Sequence, residues 1–158
     1  MDFLPEAIQS YAEKFSGPIP NYLQELERET HLHVLMPRML SGSLQGRTLS
    51  LFSRLCQPKY ALEVGTYTGY GALCLAEGLQ PSGTLYTIDQ NEELEEIVRR
   101  YISKAGMDDH IDFRLGNALE LIPQIRHELD LVFLDADKEN YLEYLKLLWP
   151  KMRPGAVL

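Results

Sequence analysis

The sequence predicts an α/β fold: a parallel sheet flanked by helices, preceded by a helical segment. From Lys59 onward, short apolar runs alternate with stretches of helical period, which is βαβα order. The runs lack the polar alternation of a strand with one wet face, so they read as strands buried on both sides and joined by right-handed crossovers. Size and composition agree. The 158 residues are 45% hydrophobic and 24% charged, an ordinary globular balance, and a chain this long buries roughly 68–70% of its unfolded surface. A single domain over 1–158 is expected, with helices and a covering loop in 1–57 and the sheet in 58–158.

Residues 20–35 read as a helix. Leu23, Leu26, Val34 and Leu35 fall on roughly one face, and Pro37 ends the run. A second helix is expected after Ser43, with Leu49, Phe52 and Leu55 toward the core. Between them PRMLSGSLQG, residues 37–46, is glycine-containing and irregular, a loop placed to cover something. The strands follow: Tyr60–Val64 before Gly65, 84–88 before Asp89, Ile111–Leu115 before Gly116, and Leu129–Leu134 before Asp135. Leu94, Ile97, Val98, Tyr101 and Ile102 repeat at helical spacing, as do Tyr141, Tyr144, Leu145, Leu148 and Trp149.

Net charge is −8, which argues against duplex nucleic acid or an anionic membrane as partner. Cys56 and Cys74 have no CxxC spacing and read as reduced core thiols of a cytoplasmic protein. Met1-Asp2 opens no basic-then-apolar signal, and no apolar run approaches the ~20 residues that span a bilayer. His31 and His33 are two apart and cannot share a helix face for a metal, while His110 and His127 stand alone beside turns.

A parallel sheet places its ligand at the carboxyl ends of its strands, where the strand order reverses. Gly65 to Gly71, Asp89, Gly116 to Ala118 and Asp135 to Lys138 all lie just past a strand and should converge there. Gly65-Thr66-Tyr67-Thr68-Gly69-Tyr70-Gly71 is spaced GxxxGxG, neither the dinucleotide nor the P-loop pattern, and it lacks a phosphate-binding lysine. Such a turn lets backbone approach a ligand closely at a helix start. Glu63, at an apolar strand end, is costly to bury unpaired and calls for a cation or donors. Asp89 closes the second strand 24 residues beyond Gly65, near the distance at which an acid holds a ribose diol, though a helix N-cap is its other reading. Two acids without that lysine favour a nucleoside carrying positive charge, such as S-adenosylmethionine.

Beyond these features, EVGTYTGYG, YTID, GNALELIP, FLDADKENYLEY and LLWPKMRPGAVL together resemble the small cation-dependent O-methyltransferases, the caffeoyl-CoA and catechol O-methyltransferases and their bacterial relatives. PRMLSGSLQG resembles that family's loop over the cofactor. The resemblance implies a Rossmann-like S-adenosylmethionine-dependent methyltransferase fold. It assigns Met39, Ser41, Glu63, Gly65, Thr66, Gly71, Asp89, Ala118 and Asp137 to the cofactor. Gly71 stands where many members have a serine, so one side-chain hydrogen bond to the methionine moiety should be missing or replaced. Asp135 matches the ligand of a divalent cation, Mg2+ or Ca2+, that chelates the acceptor's vicinal oxygens, and Lys138 matches the base that takes the phenolic proton. Tyr144 matches an acceptor contact, or is simply a core aromatic of its helical stripe. A homodimer is implied as well.

The implied reaction is methyl transfer to a small phenolic or catechol-like acceptor. Two further readings stand beside it: methylation of a hydroxylated uridine in tRNA, against which the negative charge counts, and a catalytically silent cofactor-binding interaction module. The chain stops at Leu158, inside what should be a fifth strand. Family members continue with an Asp-Asn pair that completes the metal site and with further strands. The sequence therefore reads as a fragment of a longer protein, the alternative being loss of the metal-assisted step.

Overall fold

The computed structural model describes residues 5–158; the expectation about Met1-Asp2 lies outside them. Three helices come first, α1 (Glu6–Phe15), α2 (Asn21–His33) and α3 (Gly42–Cys56). Strands and helices then alternate: β1 (Tyr60–Val64), α4 (Tyr70–Ala76), β2 (Thr84–Asp89), α5 (Glu95–Lys104), β3 (Ile111–Leu115), α6 (Ala118–Leu121), β4 (Leu129–Leu134), α7 (Tyr141–Leu148) and β5 (Met152–Val157). They form a five-stranded sheet in the order β3-β2-β1-β4-β5, and every neighbouring pair is parallel. The chain winds outward from β1 in both directions, so the order reverses between β1 and β4. This is the expected α/β, Rossmann-like arrangement.

Alternate residues of each inner strand feed two apolar layers, because side chains of a strand point to opposite faces. Ala61, Leu85, Phe113 and Leu131 pack with Leu23 and Leu26 of α2, Leu73 of α4 and Val98 and Tyr101 of α5. Leu62, Val64, Tyr86, Ile88 and Val132 pack on the other face with Ile122, Ile125, Tyr144 and Leu148. The α5 stripe is buried as its spacing predicts.

Several expectations require correction. The helix over 20–35 ends at His33, and Leu35 lies past it with 82% of its surface exposed; the buried third position is Thr30, whose hydroxyl donates to Thr68 Oγ1 at 3.2 Å. The loop over 37–46 is half helix. Pro37–Met39 makes one 3-10 turn, and α3 has already begun at Gly42. Phe52 and Leu55 do not face the core but are 49% and 72% exposed.

What α3 turns inward instead is Gly46, Leu49, Ser50 and Ser53, because α4 presents polar partners to it. Ser53 Oγ donates to the Leu75 carbonyl at 2.6 Å, and Ser50 Oγ donates to Glu77 at 2.6 Å. Arg47 grips the same carboxylate with two bonds of 2.7 and 3.0 Å, and Arg54 adds another at 3.0 Å. Burial would raise the Glu77 carboxyl, but these donors outweigh it and hold it below the usual range. Of the two free cysteines, Cys74 is a buried core thiol as expected, with Arg47 donating to its sulfur at 3.3 Å, whereas Cys56 is only half-buried at the edge of the core. Trp149, read as part of the α7 stripe, falls in the turn after that helix and is 72% exposed. Nor do the lone histidines stand alone. His127 stacks on Tyr60 with centroids 3.9 Å apart and bonds the Tyr86 hydroxyl at 2.7 Å, and His110 bonds the Gly83 carbonyl.

Candidate active site

The carboxyl ends of four strands are laced together beyond the strands themselves. Gly65 N–H donates to the Ile88 carbonyl at 2.9 Å, Asp135 N–H to Val64 at 2.9 Å, and Gly116 N–H to Asp89 at 2.7 Å. The loops that follow therefore leave the sheet from fixed points and enclose a cleft of about 790 Å3. Every site residue picked from the sequence lines it: Met39, Ser41, Glu63, Gly65, Thr66, Gly71, Asp89, Ala118, Asp135, Asp137, Lys138 and Tyr144.

Glu63 forms the floor. Its register opposite Thr87 follows from the parallel pairing of β1 and β2. Thr87 Oγ1 donates to Glu63 Oε2 at 2.5 Å, and Thr66 Oγ1 lies 2.6 Å from Thr87 Oγ1, extending the chain. Glu63 is 1% exposed. Burial, only partly opposed by the Thr87 bond and reinforced by Asp135 and Asp89, pushes its carboxyl up to about 8. Its Oε1 faces Gly71, where an added Cβ would sit 2.5 Å from that oxygen and 3.6 Å from Ser41 Oγ. Gly71 thus lets the helix start of α4 approach the carboxylate closely.

Asp89 ends β2 and is not a helix cap; that role belongs to Asn91, which accepts from Glu93 N–H at 3.0 Å. Asp89 Oδ2 accepts from Tyr67 N–H at 2.7 Å, and Oδ1 from Asn91 N–H at 2.9 Å. Tyr67 takes a left-handed backbone, φ +49°, to present that N–H. Buried Ala118 starts α6 and also lines the cleft.

After β4 the chain turns through exposed Asp135, Asp137 and Lys138. Asp137 Oδ1 accepts from the Tyr144 hydroxyl at 2.6 Å, and Asn140 Nδ2 donates to Oδ2. The Tyr144 bond, more than any other influence, holds Asp137 below the usual carboxylate range. Tyr144 is itself 4% exposed and part of the core, its hydroxyl pushed up to about 12 by burial and by Asp137. Its hydroxyl is thus spent on placing Asp137. Lys138 opens a single 3-10 turn before α7 and makes no ion pair among the described residues.

A buried carboxylate floor, an acid at the end of the second strand and a DADK turn at the reversal of strand order form one constellation, and the family model described as O-methyltransferase matches residues 13–158. The chain belongs to the O-methyltransferase family. It is 33% identical over 127 residues to a catechol O-methyltransferase of Niastella koreensis, covering 78% of this chain and 58% of that protein. It is 37% identical over 145 residues to a caffeoyl-CoA O-methyltransferase of Zinnia elegans, covering 88% and 59%. The chain thus spans somewhat over half the length of these curated relatives. An SAH-bound methyltransferase from Podospora anserina superposes with a TM-score of 0.90 at 27% identity, covering 99% of this chain and 71% of that one. An O-methyltransferase from Bacillus cereus in complex with SAH gives 0.89 at 29% identity, covering 96% and 70%.

In this O-methyltransferase-family chain the cleft suits a nucleoside with a cationic arm: a buried carboxylate with an unpartnered oxygen, a second carboxylate at β2, and glycine backbone between them. The described residues do not by themselves complete a divalent-cation shell. Among the described residues no group of three or more His, Cys, Asp or Glu could hold one, and hard cations take six or more oxygens. Asp137 already accepts one hydrogen bond at each oxygen, and Asp135 makes no side-chain hydrogen bond among the described residues, so Asp135 is the freer carboxylate of the turn. Sequence reasoning missed Thr87 and Tyr67. Thr87 was legible in principle, as the hydroxyl two residues before Asp89 in an apolar run. Tyr67 had no signal, because its partners are the backbone carbonyls of Leu35 and Met36, more than thirty residues earlier.

Proposed function

We propose that residues 1–158 form a methyltransferase domain that binds S-adenosylmethionine and transfers its methyl group to a hydroxyl of a small phenolic, catechol-like acceptor. The observation that carries this reading is the juxtaposition of buried Glu63 and strand-end Asp89 on either side of the glycine turn, in one cleft with Lys138. S-adenosylmethionine would supply an electrophilic methyl on a sulfonium. Asp89 would hold the ribose hydroxyls, Ala118 the adenine side, and Glu63 the cationic arm, with Met39 and Ser41 over it and Gly65, Thr66 and Gly71 giving close backbone approach. Lys138 would accept the acceptor's phenolic proton at Nζ as its oxygen attacks the methyl carbon and the carbon–sulfur bond breaks, leaving a thioether.

Names of the relatives support a phenolic acceptor, and the free thiols of Cys56 and Cys74 support a cytoplasmic setting. Among the described residues no helix is long and apolar enough to cross a membrane. The resemblance supports a homodimer, which sedimentation would read. It also supports cation assistance, with the Asp135 carboxylate as one of the oxygen donors that would hold the ion.

Calorimetry with S-adenosylhomocysteine tests the cofactor. The chain is expected to bind, and Asp89→Ala to weaken binding ~10–100-fold, as loss of hydrogen bonds to a charged acceptor does. A variant binding as tightly as the parent would sink the assignment. Labelled-methyl transfer to catechols, with and without EDTA, tests the rest: turnover unaffected by EDTA removes the metal from Asp135, and turnover unaffected by Lys138→Ala removes the base.

A further inference from the structure

Residues 35–41 form a strap along one wall of the cleft, with Leu35, Met36, Met39 and Ser41 lining it. Leu35 is 82% exposed, Met36 50% and Met39 58%, so of the strap's large apolar side chains Leu40 alone packs against the core, and only partly buried. Met36 takes a left-handed backbone, φ +58°, that starts the 3-10 turn of Pro37–Met39. Within the strap the backbone bonds are local: Met39 N–H to Met36 and Leu40 N–H to Pro37. Among the described residues its one hydrogen-bonded tie to the sheet is the Tyr67 hydroxyl, which donates to the Leu35 and Met36 carbonyls at 3.0 and 3.2 Å.

The other end of Tyr67 is bound to the opposite feature of the cleft, since its backbone N–H donates to Asp89 Oδ2 at 2.7 Å. The left-handed backbone at Tyr67 makes this double engagement possible, and a non-glycine residue takes it only when its surroundings hold it there. A diol arriving at Asp89 must share the carboxylate with Tyr67 N–H and Asn91 N–H, so whatever occupies Asp89 acts on the turn that carries the strap's tether.

We infer that Tyr67 is a positioning residue that couples occupancy of Asp89 to the placement of the 35–41 strap over the cleft. The inference rests on the cofactor reading only for its probe. Hydrogen exchange of the 35–41 amides and calorimetry, both with S-adenosylhomocysteine, test it on the whole chain. In the parent, saturating ligand is expected to slow exchange across 35–41. In Tyr67→Phe, which loses only the hydroxyl, the segment should exchange faster than in the parent when empty, should gain no protection at saturation, and affinity should fall ~3–10-fold.

A strap loosened equally with and without ligand, at affinity within twofold of the parent, would make Tyr67 merely structural and overturn the coupling. So would ligand-induced protection that survives the substitution. If the parent failed to bind S-adenosylhomocysteine, the cofactor reading would fall. The tether would still be read from the empty proteins, where equal exchange at 35–41 in parent and Tyr67→Phe overturns it.

Discussion

Gly65→Ala is expected to destabilise the fold by about 4 kcal/mol, a large part of the 5–15 kcal/mol that holds an ordinary domain together. Two independent costs add, with a range of about 2–6 kcal/mol centred near 4. The residue sits at φ +102°, where an L side chain is strained by about 1–3 kcal/mol. Its added Cβ would also land 2.3 Å from the Asp135 carbonyl oxygen and 2.8 Å from the carbonyl carbon. That neighbour is backbone and cannot swing away, so the ends of β1 and β4 must part, an overpacking cost of about 1–3 kcal/mol. The parting would open the link from Asp135 N–H to the Val64 carbonyl and carry the DADK turn out of register with Glu63. Urea unfolding reads the cost as a lowered midpoint at unchanged slope. A midpoint within the error of the parent would show that the turn relaxes freely and that close approach at Gly65 has no structural weight.

The same close approach marks what sequence could and could not reveal. Tyr60–Val64, Ile111–Leu115 and Leu129–Leu134 were legible residue for residue, because a doubly buried strand between turn-forming residues leaves few alternatives. The convergence of Glu63, Asp89, Asp135 and Lys138 followed from topology, since parallel strands deliver their carboxyl ends to one edge. Helix α3 was misread where polarity and burial part company. Ser50 and Ser53 turn inward because Glu77 and the Leu75 carbonyl await them, and the apolar Phe52 and Leu55 are left outside. No pattern within α3 announces partners on α4. Tyr67 was illegible for the same reason: a hydroxyl aimed at distant backbone carbonyls leaves no trace in side-chain spacing. Tyr144 lay between these cases, its stripe correctly marking the core while its hydroxyl reached out to Asp137.

Glu63 gives the other large effect, one with opposite signs for stability and binding. Its carboxyl is held near 8 in the folded chain, against an ordinary value of 4.5, chiefly because burial disfavours the charge. The folded state therefore keeps the proton more tightly than the unfolded state. This contribution to stability is whole below about pH 4.5, declines as pH rises, and is gone above about 8. At about 1.36 kcal/mol per unit the empty chain should lose on the order of 5 kcal/mol across that window from this group alone. Glu63→Gln has the shape of the protonated acid and cannot ionise. Its urea midpoint should match the parent near pH 5 and exceed it near pH 8.5. Binding should run the other way, because a cationic arm needs the ionised form. Parent affinity for S-adenosylmethionine should rise with pH toward 8, with a proton released on binding, and Glu63→Gln should bind at least tenfold more weakly at pH 8.5 with no such rise. A purely structural glutamate would show the stability difference without the binding difference. Parent and variant midpoints that track each other from pH 5 to 8.5 would mean that Glu63 is already ionised in the empty cleft, held by donors rather than awaiting a cation.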